Sequence, residues 1–154
     1  MSDHHKETFI TKYIFCQDYK MIAKQFLITG MLMAVVGMLM SAIFRVQLAN
    51  PGETSMLYNL LPGSWLNEAG VLNPDKYLAL VTMHGTILVF WVLTAGLSGT
   101  FANFLIPLQI GARDMASGFL NMLSYWFFFL ATVVLVSSIY VESGPASAGW
   151  TIYP

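Results

Sequence analysis

Residues 25–44 read QFLITGMLMAVVGMLMSAIF, an uncharged run bounded by Lys24 and Arg45. A helix needs about 20 mainly apolar residues to cross the hydrocarbon of a bilayer, and this stretch has that length. Working outward, two further uncharged runs follow: residues 77–112, between Lys76 and Arg113, and residues 115–141, between Asp114 and Glu142. Buried helices of soluble proteins are rarely this long and charge-free. Of the 154 residues, 56% are hydrophobic and 10% are charged, against roughly 25% charged in a soluble domain. Too few polar groups exist to cover a water-facing surface, so lipid or other protein must solvate most of it. The expectation is an all-α integral membrane helical bundle with three transmembrane helices near 22–48, 77–105 and 118–141.

The same composition excludes several classes. A net charge of −1 provides no strong field that points to nucleic acid or acidic lipid. The single cysteine, Cys16, cannot form an internal disulfide, and no Cys-x-x-Cys-His run exists for covalent haem attachment. The first 24 residues are polar and carry Lys6, Lys12, Lys20 and Lys24, with no apolar core or small-residue cleavage site, so they do not read as a removable signal. No internal repeat or low-complexity tract occurs. Basic residues in short flanks set direction. Those four lysines and Arg113 fall on one side of the three spans, and Arg45 and Lys76 on the other. This predicts a cytoplasmic amino-terminal segment over 1–21, with the spans in 22–154 and the 106–117 connection also cytoplasmic; in a mitochondrion the equivalent side is the matrix. Trp65, Tyr77, Tyr140, Trp150 and Tyr153 then belong toward the outer interface. The connection from 49 to 76 holds Pro51, Gly52, Pro62, Gly63 and Pro74 and should fold over the outer surface.

Few residues could carry chemistry. Counting back from Arg45 at 100° per residue, Ser41, Gly37, Ala34 and Gly30 fall within about 80° of one side of the helix. Such a stripe serves close helix packing of the Gly-x-x-x-small kind, or a groove for a flat cofactor whose polar edge meets the guanidinium. His84 is the one histidine within a span; His4 and His5 lie in the polar tail. It follows Lys76 by eight residues, about 12 Å along a helix, in the outer half. An intramembrane imidazole is either a haem ligand or a neutral group hydrogen-bonded to another helix, and position alone leaves both open. In the second connection, NFLIPLQIGARDMASGFLN, Asp114 lies between Asn103 and Asn121, and Pro107 and Gly111 are expected to break the helix. Asp114 is either solvated or a helix cap, with the asparagines at helix ends, or the three form a polar entrance for water and protons. The methionines read as flexible packing, and Tyr125 and Trp126 as packing between helices. No phosphate loop, paired-carboxylate site or cluster of metal ligands is present.

Four stretches, AIFRVQLANPG, LALVTMHGTILVFWVL, FANFLIPLQIGARDMASGFLNMLSYWFFFL and ESGPASAGWTIYP, occur in order. Together, from about Phe26 to Pro154, they resemble the first three membrane helices of subunit I of cytochrome c oxidase, in the haem-copper oxidase superfamily, and look most like bacterial members. The resemblance implies a larger subunit of roughly twelve helices, and a terminal oxidase that couples electron transfer from cytochrome c to oxygen reduction and proton pumping. It implies that His84 is one axial ligand of the low-spin haem iron, and that Arg45 hydrogen-bonds a polar substituent of that haem, usually the formyl of haem a. Asp114 matches the acid at the mouth of a proton-uptake pathway, and Asn103 and Asn121 match asparagines lining its lower part. A high-spin haem and copper are expected in the full subunit, with ligands outside these residues, so this segment alone would be inactive. Implied partners are the rest of subunit I, other subunits including II and III, cytochrome c or another electron donor, and membrane lipid. Departures are visible. Gln47 stands where many relatives have an acid serving an outer cation, so no cation site is expected there; Arg113 stands where relatives often have proline, and Met122 where many have asparagine. A quinol oxidase of the same superfamily and a non-catalytic three-helix scaffold are the rival readings.

Overall fold

The computed structural model describes residues 9–150; His4, His5, Lys6 and Tyr153 lie outside the described residues. Helix α1 runs Tyr19–Ala49. It starts earlier than the charge-free run because Asp18 caps it, accepting from the Lys20 amide at 3.4 Å. Lys20 and Lys24 therefore lie inside the helix, where long aliphatic stems let the ammonium groups reach the interface. At 1.5 Å per residue the helix is about 46 Å long, against roughly 30 Å of hydrocarbon.

The second span is continuous over Pro74–Gln109. Pro74 opens it as the first helical residue of α2 (Pro74–Thr86), where a missing N–H costs nothing. A π-helical stretch, Ile87–Ser98, follows and passes into α3 (Gly99–Gln109). Within the π stretch the hydroxyls of Thr94 and Ser98 donate to the carbonyls of Val89 and Leu93, five residues back. Pro107 does not break the helix as expected: α3 continues two residues past it. Its lost N–H affects only the final turn, and the stop comes at Gly111. That residue takes φ +69°, while the Ala112 and Gly111 amides donate to Pro107 and Leu108 at 2.9 and 3.3 Å. Helix α4 (Gly118–Ser137) is capped by Ser117, whose hydroxyl accepts from the Leu120 amide, and ends in a 3₁₀ turn to Tyr140.

The spans meet through small residues. A Cβ on Gly30 would lie 2.9 Å from the Cα of Gly96, and one on Gly37 would lie 2.9 Å from a Leu88 methyl. At these two positions the second span fills the small-residue stripe of α1, as close packing in lipid requires. Helix α4 is held to α1 by a buried hydroxyl pair, Thr29 Oγ1 and Tyr125 OH at 3.1 Å, and by Phe26 between Tyr125 and Phe128. The connection after α1 forms two short 3₁₀ turns, Met56–Leu60 and Gly63–Trp65, and drives Tyr58, Trp65 and Leu72 into the core beside Met40, Ile43 and Leu80. Trp65 is a core residue, with the Lys76 ammonium 5.8 Å above it. Tyr140 and Trp150 are exposed. Much of the remaining surface is apolar, among it Leu27, Leu32, Leu93, Phe127 and Val134, which suits lipid or further protein.

Candidate functional site

His84 sits in the last turn of α2, half-buried against α1. Its Nδ1 lies 2.8 Å from the carbonyl oxygen of Gly37. A carbonyl only accepts, so Nδ1 carries the proton and donates; in the neutral ring the lone pair is then on Nε2. The contact depends on the bare backbone at Gly37, since a methyl there would meet Leu88 and Ile87 at 2.9 and 3.3 Å. Phe44, also on α1, packs against the imidazole at 5.4 Å between centroids and 71° between planes, leaving its orientation little freedom. Gly85, the next residue, has Trp150 as its neighbour at 3.9 Å from a would-be Cβ, an ordinary contact distance.

Arg45 follows Phe44 on α1, eight residues beyond Gly37 and so about 12 Å along the axis. Its side chain is exposed and makes no hydrogen bond or ion pair among the described residues. His84 and Arg45 are not bonded to each other; the first helix joins them through Gly37 and Phe44.

At the other end, Asp114 is exposed, and its Oδ1 accepts from the Met115 amide at 2.8 Å. Capping of α4 falls to Ser117, not Asp114. Asn103 is buried in α3 and its Nδ2 donates to the Gly99 carbonyl at 2.7 Å, which fixes the amide orientation and directs Oδ1 away. That Oδ1 and the Nδ2 of Asn121 are both buried without a hydrogen-bond partner among the described residues. One is an acceptor and the other a donor, yet they do not bond to each other or to Asp114.

Sequence reasoning missed several polar contacts. Tyr58 OH donates to Gln47 Oε1 at 2.7 Å, tying the connection back to α1 beside Arg45, and burial raises the Tyr58 phenol above its ordinary pKa of 10.0. The Trp91 indole donates to Thr132 at 2.9 Å, joining the second span to α4. The Gly37 carbonyl is a backbone group and carries no residue signature; only the glycine itself hinted at a close approach.

The family model described as cytochrome c and quinol oxidase polypeptide I matches residues 21–154. The chain is 41% identical over 151 residues to the alternative cytochrome c oxidase subunit 1 of Bradyrhizobium diazoefficiens, covering 98% of this chain and 23% of that protein. It is 34% identical to cytochrome c oxidase subunit 1 of Synechocystis, covering 99% of this chain and 24% of the relative. It is 35% identical to a haem-copper oxidase subunit I+III of Aeropyrum pernix, covering 94% of this chain and 16% of that protein. The chain thus spans a quarter or less of the length of these relatives. With three helices long and apolar enough to cross a bilayer, and a family match across most of its length, it is an integral membrane protein that belongs to the cytochrome c and quinol oxidase polypeptide I family.

Proposed function

We propose that these three spans are part of the catalytic subunit of a terminal oxidase that passes electrons from cytochrome c to oxygen and pumps protons, and that His84 holds the iron of a low-spin haem. The observation that carries the reading is the 2.8 Å contact of His84 Nδ1 with the Gly37 carbonyl. A histidine that ligates a metal characteristically donates its other ring N–H to a carbonyl or carboxylate, which fixes the tautomer and raises the basicity of the ligating nitrogen. His84 has that arrangement, and with Nδ1 donating, Nε2 is the nitrogen that would hold the haem iron. The bound haem supplies one-electron carriage.

The protein's own part is orientation and field. Gly37 and Phe44 fix the imidazole plane. Arg45, a permanent cation with no partner among the described residues, is available to a polar haem substituent, such as the formyl of haem a, and tunes rather than holds the group. Asp114 gathers protons on the side of the amino-terminal lysines, taken as the bacterial cytoplasm. Asn103 and Asn121 each offer a buried unpaired atom to a file of water. The rest of subunit I and subunits II and III complete the enzyme, including its high-spin haem and copper.

The test is a reduced-minus-oxidised optical spectrum of the intact complex, with pyridine extraction to identify the haem. His84→Ala should abolish the low-spin band and stop electron delivery while the protein still inserts. An assembled variant with an unchanged low-spin spectrum would sink the assignment.

A further inference from the structure

We infer that residues 9–18, with the groove between them, α1 and α4, form a binding site for an anionic phospholipid of the leaflet at the amino-terminal face. The segment is docked on the bundle. The Gln25 side-chain amide donates to the carbonyls of Tyr13 and Ile14 at 2.7 and 3.2 Å. The Phe15 ring lies 5.4 Å from that of Trp126. Gln17 closes against Gly118, where a Cβ would lie 3.0 Å from its Cβ and carbonyl. These contacts place the segment across the starts of two membrane spans, at the depth of headgroup and glycerol. Gln25 lies six residues into α1, about 9 Å along it, and α1 exceeds the hydrocarbon thickness by about 16 Å.

The exposed chemistry is that of a membrane interface. Phe9, Ile10, Tyr13 and Phe15 are 68, 50, 42 and 54% exposed, and Lys12 and Lys20 are exposed among them. Aromatic rings with lysines are the set found at the headgroup level. Helix–helix contact within a bilayer favours small residues instead, and this chain uses small residues where its own spans touch, at Gly30 and Gly96. A lipid therefore suits this face better than a further helix. The charge selects an anionic one: over residues 9–24 the lysines at 12, 20 and 24 face a single acid, Asp18, which is already engaged as the α1 cap.

Beneath the segment is a groove of about 240 Å³ whose walls include Ile14, Gln25, Ile28, Trp126 and Phe129. It is mostly apolar and open on one side, as an acyl chain entering beside its glycerol requires. The Trp126 Nε1 is a buried donor with no hydrogen-bond partner among the described residues, and an ester carbonyl is the acceptor that this depth of the membrane supplies. Neighbouring side chains cover that nitrogen here, so a carbonyl reaches it only with a shift of a ring at the rim.

The test uses the intact oxidase complex, purified in neutral detergent and titrated with phosphatidylglycerol or phosphatidylcholine, with retained lipid counted by native mass spectrometry. Phosphatidylglycerol should be retained preferentially. Lys12→Gln and Lys20→Gln should each lower that preference about fivefold, and arginine at both positions should preserve it. Equal retention of the two lipids, or an unchanged preference in the Lys12→Gln/Lys20→Gln complex, overturns the inference. A photoreactive residue in place of Phe15 should crosslink to lipid; crosslinking to polypeptide instead would show that protein covers this face and would also overturn it.

Discussion

The imidazole of His84 donates from Nδ1 to the carbonyl oxygen of Gly37 on the neighbouring helix, 2.8 Å away. The bond crosses between spans at a point where α1 has no side chain, so the approach of two helices and the tautomer of one ring are set by the same glycine. Gly37→Ala would place a methyl 2.9 Å from Leu88 Cδ2 and 3.3 Å from Ile87 Cγ2. The Leu88 end can rotate away, but Ile87 Cγ2 sits on a branched carbon and gives less, so any separation of the helices that relieves it stretches the His84 bond. If His84 holds the low-spin iron, the variant should retain that haem about tenfold less well, as loss of a ligand's supporting hydrogen bond does elsewhere. Haem content by pyridine extraction after detergent washing checks this; parental retention would mean that the Gly37 bond does not support the ligand.

Gly30 is a harder limit, because its neighbour is backbone. A Cβ there meets the Gly96 Cα at 2.9 Å, which no rotamer change relieves. Gly30→Ala should destabilise the assembled bundle by about 1–3 kcal/mol, the usual cost of overpacking, and Gly30→Leu should prevent assembly. Gly63→Ala is the control, since nothing lies within 4 Å of its would-be Cβ. Thermal inactivation midpoints of the three variants provide the comparison, and a Gly30→Ala midpoint equal to that of Gly63→Ala would mean that the helices adjust freely.

The three spans were legible because lipid forbids uncompensated charge, so Lys24, Arg45, Lys76, Arg113, Asp114 and Glu142 bound each run. The ends were less legible. The caps Asp18 and Ser117 and the helix-opening Pro74 decide where helices begin, and at the close of the second span the left-handed Gly111 outweighs Pro107. The π-helical stretch Ile87–Ser98 was invisible, since a uniformly apolar run reads alike whether its bonds close over four residues or five. His84 stood out as the one imidazole in a span, but its partner is a main-chain carbonyl, and backbone acceptors leave no trace in composition. Tyr58 and Gln47 lie eleven residues apart across a turn that periodicity does not describe.

The Tyr58–Gln47 bond gives a pH signature. Burial raises the Tyr58 phenol above 10.0, so the folded state favours the neutral form. Stability from this group is complete below the unfolded value of about 10 and is lost as pH rises through the higher folded value. The complex should therefore lose stability above about pH 10. Tyr58→Phe should cost about 0.5–1.5 kcal/mol at neutral pH through the lost bond and should flatten the alkaline decline. Chemical denaturation across pH 8 to 11 (a range set by the ordinary tyrosine value of about 10) measures both. An equally steep decline in the variant would assign the titration to another group.

Asp114 separates proton supply from electron flow. It is exposed at the start of the turn into α4, bonded among the described residues only to the amide of the next residue, while Ser117 caps the helix. The fold therefore does not rely on its carboxylate, and Asp114→Asn, which keeps the acceptor oxygen, should leave assembly intact. Asn103 and Asn121 lie deeper, and each has a buried polar atom that no group among the described residues satisfies. A buried unpaired amide costs about 1–3 kcal/mol unless water reaches it, so hydration of this region is the economical explanation for both. If Asp114 gathers protons into that water, its neutral replacement should slow steady-state turnover by about a hundredfold, the lower end of what a lost proton-transfer group costs, and should lower proton release per electron. The low-spin haem spectrum and the first reduction of that haem should be unaffected, because His84 sits at the other side of the bundle. The measurement is proton release per electron in reconstituted vesicles alongside oxygen consumption. Normal pumping and normal turnover in the Asp114→Asn enzyme would return the residue to a solvated loop acid, and would leave the unpaired atoms of Asn103 and Asn121 as a matter of local hydration alone.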